Sequence, residues 1–72
     1  MLGLLVSERE VKEIEYLIKR ELEEILFDIE DSRIDSVVKD TMQQRYRVLY
    51  QLFRRIASHQ DVLRYLPRDK LY

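Results

Sequence analysis

The feature that most constrains this fold is an unbroken stretch, from Ser7 to Leu66, that contains neither glycine nor proline. Both residues interrupt helices, and the only examples in the chain are Gly3 and Pro67. Hydrophobic residues make up 46% of the sequence and charged residues 38%, whereas disordered chains are poorer in aliphatic side chains. The sequence therefore predicts a folded, all-α protein.

The length of the chain limits the core that it can form. Seventy-two residues allow one domain, and a core of that size supplies only about 3–5 kcal/mol of stability. The chain has no cysteine and a single histidine, His59, so disulfides and thiolate metal sites are excluded. We therefore expect no metal or other cofactor, and we expect self-association to complete the core.

The first helix has a clear start signal. Ser7 and Glu10 have the Ser-x-x-Glu spacing of a capping box, and Val6 and Val11 have the spacing of a hydrophobic staple. From there to about residue 30, apolar residues recur in steps of three and four, which is typical of a helix with one buried face. The sequence predicts helix 1 over about 8–30. Its apolar stripe consists of Val11, Ile14, Ile18, Leu22, Ile25, Leu26 and Ile29.

The segment after helix 1 predicts a reversal of the chain. Asp31, Ser32, Asp35 and Ser36 all favour helix N-caps over helix interiors, and we place the turn near residues 30–33. The alternative is one continuous helix of nearly the whole chain, paired as a long coiled coil. The apolar residues keep no strict heptad across this segment, which favours the hairpin.

Helix 2, predicted over about 33–58, has a much wider apolar face than helix 1. Its apolar side chains cover an arc of roughly 220° at 100° per residue, and one neighbouring helix does not cover so wide an arc. We expect a second copy to cover the remainder, because two-fold dimers are the commonest oligomers. The predicted dimer interface consists of Val37, Val38, Met42, Val48, Leu49, Leu52, Phe53 and Ile56.

A short third helix is predicted over about 59–66. Ser58 and Asp61 form a second capping signal, and Pro67 ends the helix. Residues 68–72 form a polar tail. The predicted fold is a single helical-hairpin domain over 1–72, which is an antiparallel two-helix hairpin with a short C-terminal helical extension that dimerises into a four-helix bundle.

Charge is distributed unevenly between the two halves of the chain. Residues 1–36 carry a net charge of −6 and residues 37–72 carry +5, which favours pairing of an acidic helix with a basic one. The alternative is a basic surface on helix 2 that binds nucleic acid. The candidate contacts are Arg47, Arg54 and Arg55. However, Tyr46 and Tyr50, which would stack on bases, lie at the edge of the apolar arc rather than beside these cations.

Arg45 lies near the middle of the apolar arc of helix 2. An unpaired guanidinium there would be costly to bury. We expect it either to reach water along the helix junction, or to pair with a carboxylate of helix 1 or of the partner chain. The alternative is a site between helices for a small anionic ligand.

The remaining candidates point to protein partners rather than to chemistry. Tyr16 and Phe27 project from the same side of helix 1, opposite its apolar stripe, and are a candidate patch for docking another protein. His59 has no second histidine or cysteine with which to build a catalytic or metal site. No catalytic residue is predicted, and Glu21 and Glu24 lack the Glu-x-x-His pattern of di-metal bundles.

No segment has the length of a membrane span, and the apolar residues 1–6 are too few for a signal peptide. We therefore expect a cytoplasmic, non-enzymatic module that interacts with itself and with other proteins, with a regulatory or adaptor role.

Overall fold

The computed structural model describes residues 1–67 and contains three helices in that range. They are α1 (Glu8–Ile29), α2 (Ser36–Phe53) and α3 (His59–Arg64). The helices α1 and α2 pack against each other as a helical hairpin, which confirms the predicted all-α hairpin. Residues 68–72, which the predicted domain includes, lie outside the described residues.

The start of α1 has the predicted capping box. The backbone N–H of Glu10 donates to Oγ of Ser7 at 3.2 Å, and the backbone N–H of Ser7 donates to Oε1 of Glu10 at 2.9 Å. These bonds satisfy two backbone donors that would otherwise have no helical partner. The cap also lowers the pKa of Glu10, because its carboxylate accepts the Ser7 backbone bond.

Replacing Ser7 with alanine should therefore lower the free energy of unfolding by about 1 kcal/mol. Urea denaturation followed by circular dichroism measures the change. Ser32→Ala, in the exposed turn between α1 and α2, is the matched control and should have little effect. Equal losses from the two substitutions would show that the cap does not contribute.

The turn between the long helices ends later than predicted. Helix α1 ends at Ile29, and α2 begins at Ser36 with Asp35 as its N-cap, whose side chain accepts from the backbone N–H of Val37. Asp31 holds the turn, because its carboxylate accepts from the backbone and the guanidinium of Arg33. These bonds keep the pKa of Asp31 below its ordinary value.

Helix α2 ends at Phe53, five residues before the predicted end. Residues 54–57 form a tight turn in which the backbone N–H of Arg55 donates to Leu52 and that of Ile56 donates to Phe53. Ser58 then caps α3, accepting from the backbone N–H of Asp61 at 3.3 Å. The chain reverses here without glycine or proline, and α3 returns to pack on the hairpin.

The core is small and rich in tyrosine. Seven large apolar side chains are buried: three from α1, three from α2, and Tyr65, which directly follows α3. The aromatic rings of Phe53 and Tyr65 meet edge to face, with centroids 5.6 Å apart, a favourable geometry for aromatic pairs. The buried set is Ile18, Leu22, Ile25, Tyr46, Tyr50, Phe53 and Tyr65.

Hydrogen bonds from the three core tyrosines connect α3 and Tyr65 to the two long helices. The hydroxyl of Tyr46 donates to the carbonyl of Tyr65 at 2.7 Å, and that of Tyr50 donates to the carbonyl of Val62 at 3.2 Å. The hydroxyl of Tyr65 donates in turn to Glu23 on α1. An ion pair between Lys19 and Asp61, 3.4 Å apart, adds a further link. Among the described residues, every buried side-chain polar atom has a hydrogen-bond partner.

Candidate interaction surfaces

The third helix covers part of the wide apolar face of α2. Tyr46, Tyr50 and Phe53 lie under α3 and the residues that follow it, and each is almost fully buried within one chain. The sequence predicted that α2 is covered on two sides, by α1 and by a second element. Part of that second cover comes from α3 and the residues after it, in the same chain. Sequence reasoning placed Tyr46 and Tyr50 at the edge of the apolar arc, but it did not predict that both would be almost fully buried within one chain.

The predicted dimer-interface residues separate into three groups. Phe53 is 0% exposed, so it belongs to the core of one chain, and assigning it to an interface is wrong. Met42, Leu49 and Ile56 are half-buried against that core. The exposed group consists of Val37, Val38, Val48 and Leu52.

The exposed group lies on one side of α2. Val38, Thr41, Arg45, Val48 and Leu52 follow one another in steps of three, four, three and four, which places them on a single stripe of a helix. We call these five residues the outer stripe of α2. Val48 is 69% exposed in the single chain, and Val38 and Leu52 are also exposed, so the apolar side chains of the stripe are only partly covered by the described residues.

Arg45 lies in the middle of the outer stripe and forms an ion pair with α1. Its Nη2 lies 3.0 Å from Oε2 of Glu21, and the two side chains are 60% and 40% exposed. Pairing with helix 1 is one of the outcomes that the sequence predicted for Arg45, and the pair lies at the surface rather than in the core. A surface pair contributes roughly 0–1 kcal/mol, and residues 1–67 form no enclosed anion site around it.

The two exposed aromatic residues of α1 have opposite electrostatic surroundings. Tyr16 lies beside Lys12, Lys19 and Glu15 in a shallow pocket, and the guanidinium of Arg20 lies 5.9 Å from its ring centroid. Phe27, 77% exposed, is flanked by carboxylates. Tyr16 and Phe27 therefore form two separate surfaces rather than the single patch that the sequence suggested.

The basic residues proposed to contact nucleic acid lie on α2 and in the turn that follows it. Arg54 and Arg55 are exposed and Arg47 is half-buried. Arg47 and Arg54 line a shallow pocket of about 280 Å³ with Tyr50. The ring of Tyr50 is buried and its hydroxyl is bonded to Val62, so it is not available to stack on a base.

Two further exposed apolar surfaces were not among the predicted interaction sites. Leu17 is exposed on α1, one turn before Glu21, and Leu2, Leu4 and Leu5 are exposed before the Ser7 cap. The sequence does not show whether a leucine at the edge of an apolar stripe, such as Leu17, is exposed or buried. The leucines before the cap follow no helical period.

Among residues 1–67, no group of three or more histidine, aspartate or glutamate side chains is arranged to hold a metal ion. His59 is exposed at the first position of α3. None of the helices in this part of the chain is long and apolar enough to cross a membrane.

No family model matches the sequence, and neither the curated proteins nor the solved structures contain a significant match.

Proposed function

We propose that the protein is a small, non-enzymatic helical interaction module that self-associates through the outer stripe of α2. The observation that carries this proposal is the exposure of Val38, Val48 and Leu52 at heptad spacing on a well-formed helix. Alternating steps of three and four residues are the pattern by which two helices pack along a seam. The favoured partner is a second copy of the chain.

The edges of the stripe favour the same partner. Gln44 and Gln51 border it on one side, and half-buried Met42 and Leu49 border it on the other. Neutral flanks create no repulsion between two identical helices, whereas like charges directly opposite each other would. Two hairpins joined through α2 would form a four-helix bundle, with α3 on the outside.

Arg45 is compatible with this arrangement because Glu21 balances its charge. In an antiparallel pairing centred on the middle of the stripe, the Arg45–Glu21 pair of one copy would lie beside that of the other. Positive and negative groups would then alternate across the interface. The pairing would therefore bury no unbalanced charge.

The mass in solution tests the proposal. Sedimentation equilibrium should give twice the 8.9 kDa mass of the chain at micromolar concentration. Val48→Glu should weaken the dimer at least tenfold, since each Val48 that is no longer buried costs about 1.5–3 kcal/mol. The helical circular dichroism should remain, because Val48 is exposed in the monomer.

The matched control is Phe27→Glu, which changes an equally exposed apolar residue on α1 and should leave the mass unchanged. A monomer at all concentrations in the unmodified protein would contradict the proposal. Equal loss of the dimer in both variants would also contradict it, because the interface would not then be specific to α2.

A further inference from the structure

The C-terminal end of α1 has a surface suited to a partner of defined charge. Phe27 projects into solvent with a depression on either side. One depression, of about 450 Å³, is lined by Arg20, Glu23, Glu24 and Asp28. The other, of about 270 Å³, is lined by residues of the following turn, Glu30, Asp31 and Arg33. We call Phe27 and the five carboxylates of these two depressions the Phe27 surface.

The negative charge of this surface is only partly balanced. Residues 21–31 contain six carboxylates and no lysine or arginine, and the last turn of α1 has no basic residue. The C-terminal end of a helix carries the negative pole of the helix dipole, and nearby cations stabilise it. This end therefore lacks the compensation that helices ordinarily receive.

Nearby cations balance some of the carboxylates but not all of them. Arg33 binds Asp31 through two bonds of 2.9 and 3.0 Å, and Arg20 reaches Glu24 at 3.9 Å. Among the described residues, no ion pair involves Asp28 or Glu30, which flank Phe27 on either side of the end of α1. An exposed ring and two unpaired carboxylates thus lie next to each other.

We propose that the Phe27 surface binds a basic, arginine-containing segment of another protein. An arginine placed over the Phe27 ring would gain a cation–π contact and could reach Asp28 or Glu30 as well. The protein already makes this kind of contact, with Arg20 over Tyr16 and Arg64 over Tyr65. Nucleic acids and anionic membranes have the same sign of charge as the surface and are repelled by it.

Charge also separates the Phe27 surface from the rest of α1. Beside Tyr16 the cations Lys12, Lys19 and Arg20 outnumber the one carboxylate, Glu15, so a basic segment is favoured at the Phe27 end of the helix and disfavoured at the Tyr16 end. This inference does not depend on self-association, because Phe27 and the outer stripe of α2 lie on different helices.

Titration with a synthetic amphipathic helix of leucine, alanine and arginine, followed by amide chemical shifts of the ¹⁵N-labelled protein, tests the proposal. The shifts should concentrate in residues 23–31, and a peptide with glutamate in place of arginine should not bind. Phe27→Ser should weaken binding at least about tenfold, as for an interface anchor. Asp28→Asn combined with Glu30→Gln should weaken binding and reduce its dependence on salt.

Tyr16→Ser and Val48→Ser are the matched controls and should leave peptide binding unchanged. Binding that survives Phe27→Ser, or that is lost equally with Tyr16→Ser, would overturn the proposal. A fall in the mass of the protein on Phe27→Ser would also overturn it, since the occupant would then be a second copy. Loss of the dimer on Val48→Glu tests self-association separately.

Discussion

Replacing Phe53 with alanine should leave most of the protein unfolded. Phe53, the last residue of α2, is fully buried in the core, and its ring meets that of Tyr65 edge to face. Truncating a buried phenylalanine costs about 3–5 kcal/mol, which equals the whole stability expected of a core this small. Urea denaturation followed by circular dichroism should show loss of the cooperative transition, or a transition near zero denaturant.

The adjacent residue is the control for this experiment. Leu52 precedes Phe53 on α2 but faces outward and is 41% exposed. Leu52→Ala should cost less than about 1 kcal/mol when measured at a concentration where the chain is monomeric. Equal effects of Phe53→Ala and Leu52→Ala would show that Phe53 is not a core residue.

Alkaline pH should destabilise the fold through Tyr65. Burial of the hydroxyl, its hydrogen bond to Glu23 and the charge of that carboxylate raise the pKa of Tyr65 from 10.0 to about 12. The contribution is fully present below pH 10. Between pH 10 and 12 the unfolded chain loses the phenol proton while the folded chain keeps it, so stability falls by about 2–3 kcal/mol.

Urea unfolding measured from neutral pH to about pH 12 tests this prediction, with Tyr65→Phe as the comparison. The phenylalanine variant keeps the ring against Phe53 but loses the hydroxyl, and it should be about 1 kcal/mol less stable at neutral pH. Its free energy of unfolding should also fall less between pH 10 and 12, because it has no phenol at position 65 to lose a proton. Identical pH profiles of the two proteins would refute the assignment to Tyr65.

Local signals in the sequence predicted the parts of the fold that depend on neighbouring residues. The capping box of Ser7 and Glu10 formed as predicted, because both bonds join residues three apart. The start of α2 was harder to place, since several aspartates and serines in the turn are equally good N-caps. Asp35 became the cap while the Asp31–Arg33 pair held the turn.

The parts that depend on distant residues were not predictable from periodicity. No residue type marks the end of α2 at Phe53, since the chain turns there so that α3 can pack on the hairpin. The apolar arc of α2 showed only that a second cover was needed. It did not indicate that the cover of Tyr46 and Tyr50 came from the same chain, because Tyr65 lies 19 and 15 residues away in the sequence.

For the candidate surfaces too, features that depend on helical spacing were predictable, and features that depend on distant residues were not. The exposed positions of Val48 and Phe27 follow from helical spacing, and the structure places them as that spacing suggests. The electrostatic difference between Tyr16 and Phe27 depends on which charges share their surroundings. The ion pair of Arg45 depends on which α1 carboxylate lies opposite it, and a helix period does not determine that residue.

The tyrosine bonds to α3 have a consequence for the alignment of the third helix. Helix α3 has six residues and none of them is buried, so apolar packing of its own side chains would allow it to sit at several heights along the hairpin. Hydroxyl bonds to the carbonyls of Val62 and Tyr65 are directional, and they fix one register. Paired Tyr-to-Phe changes at positions 46 and 50 would therefore preserve volume while allowing α3 to slide.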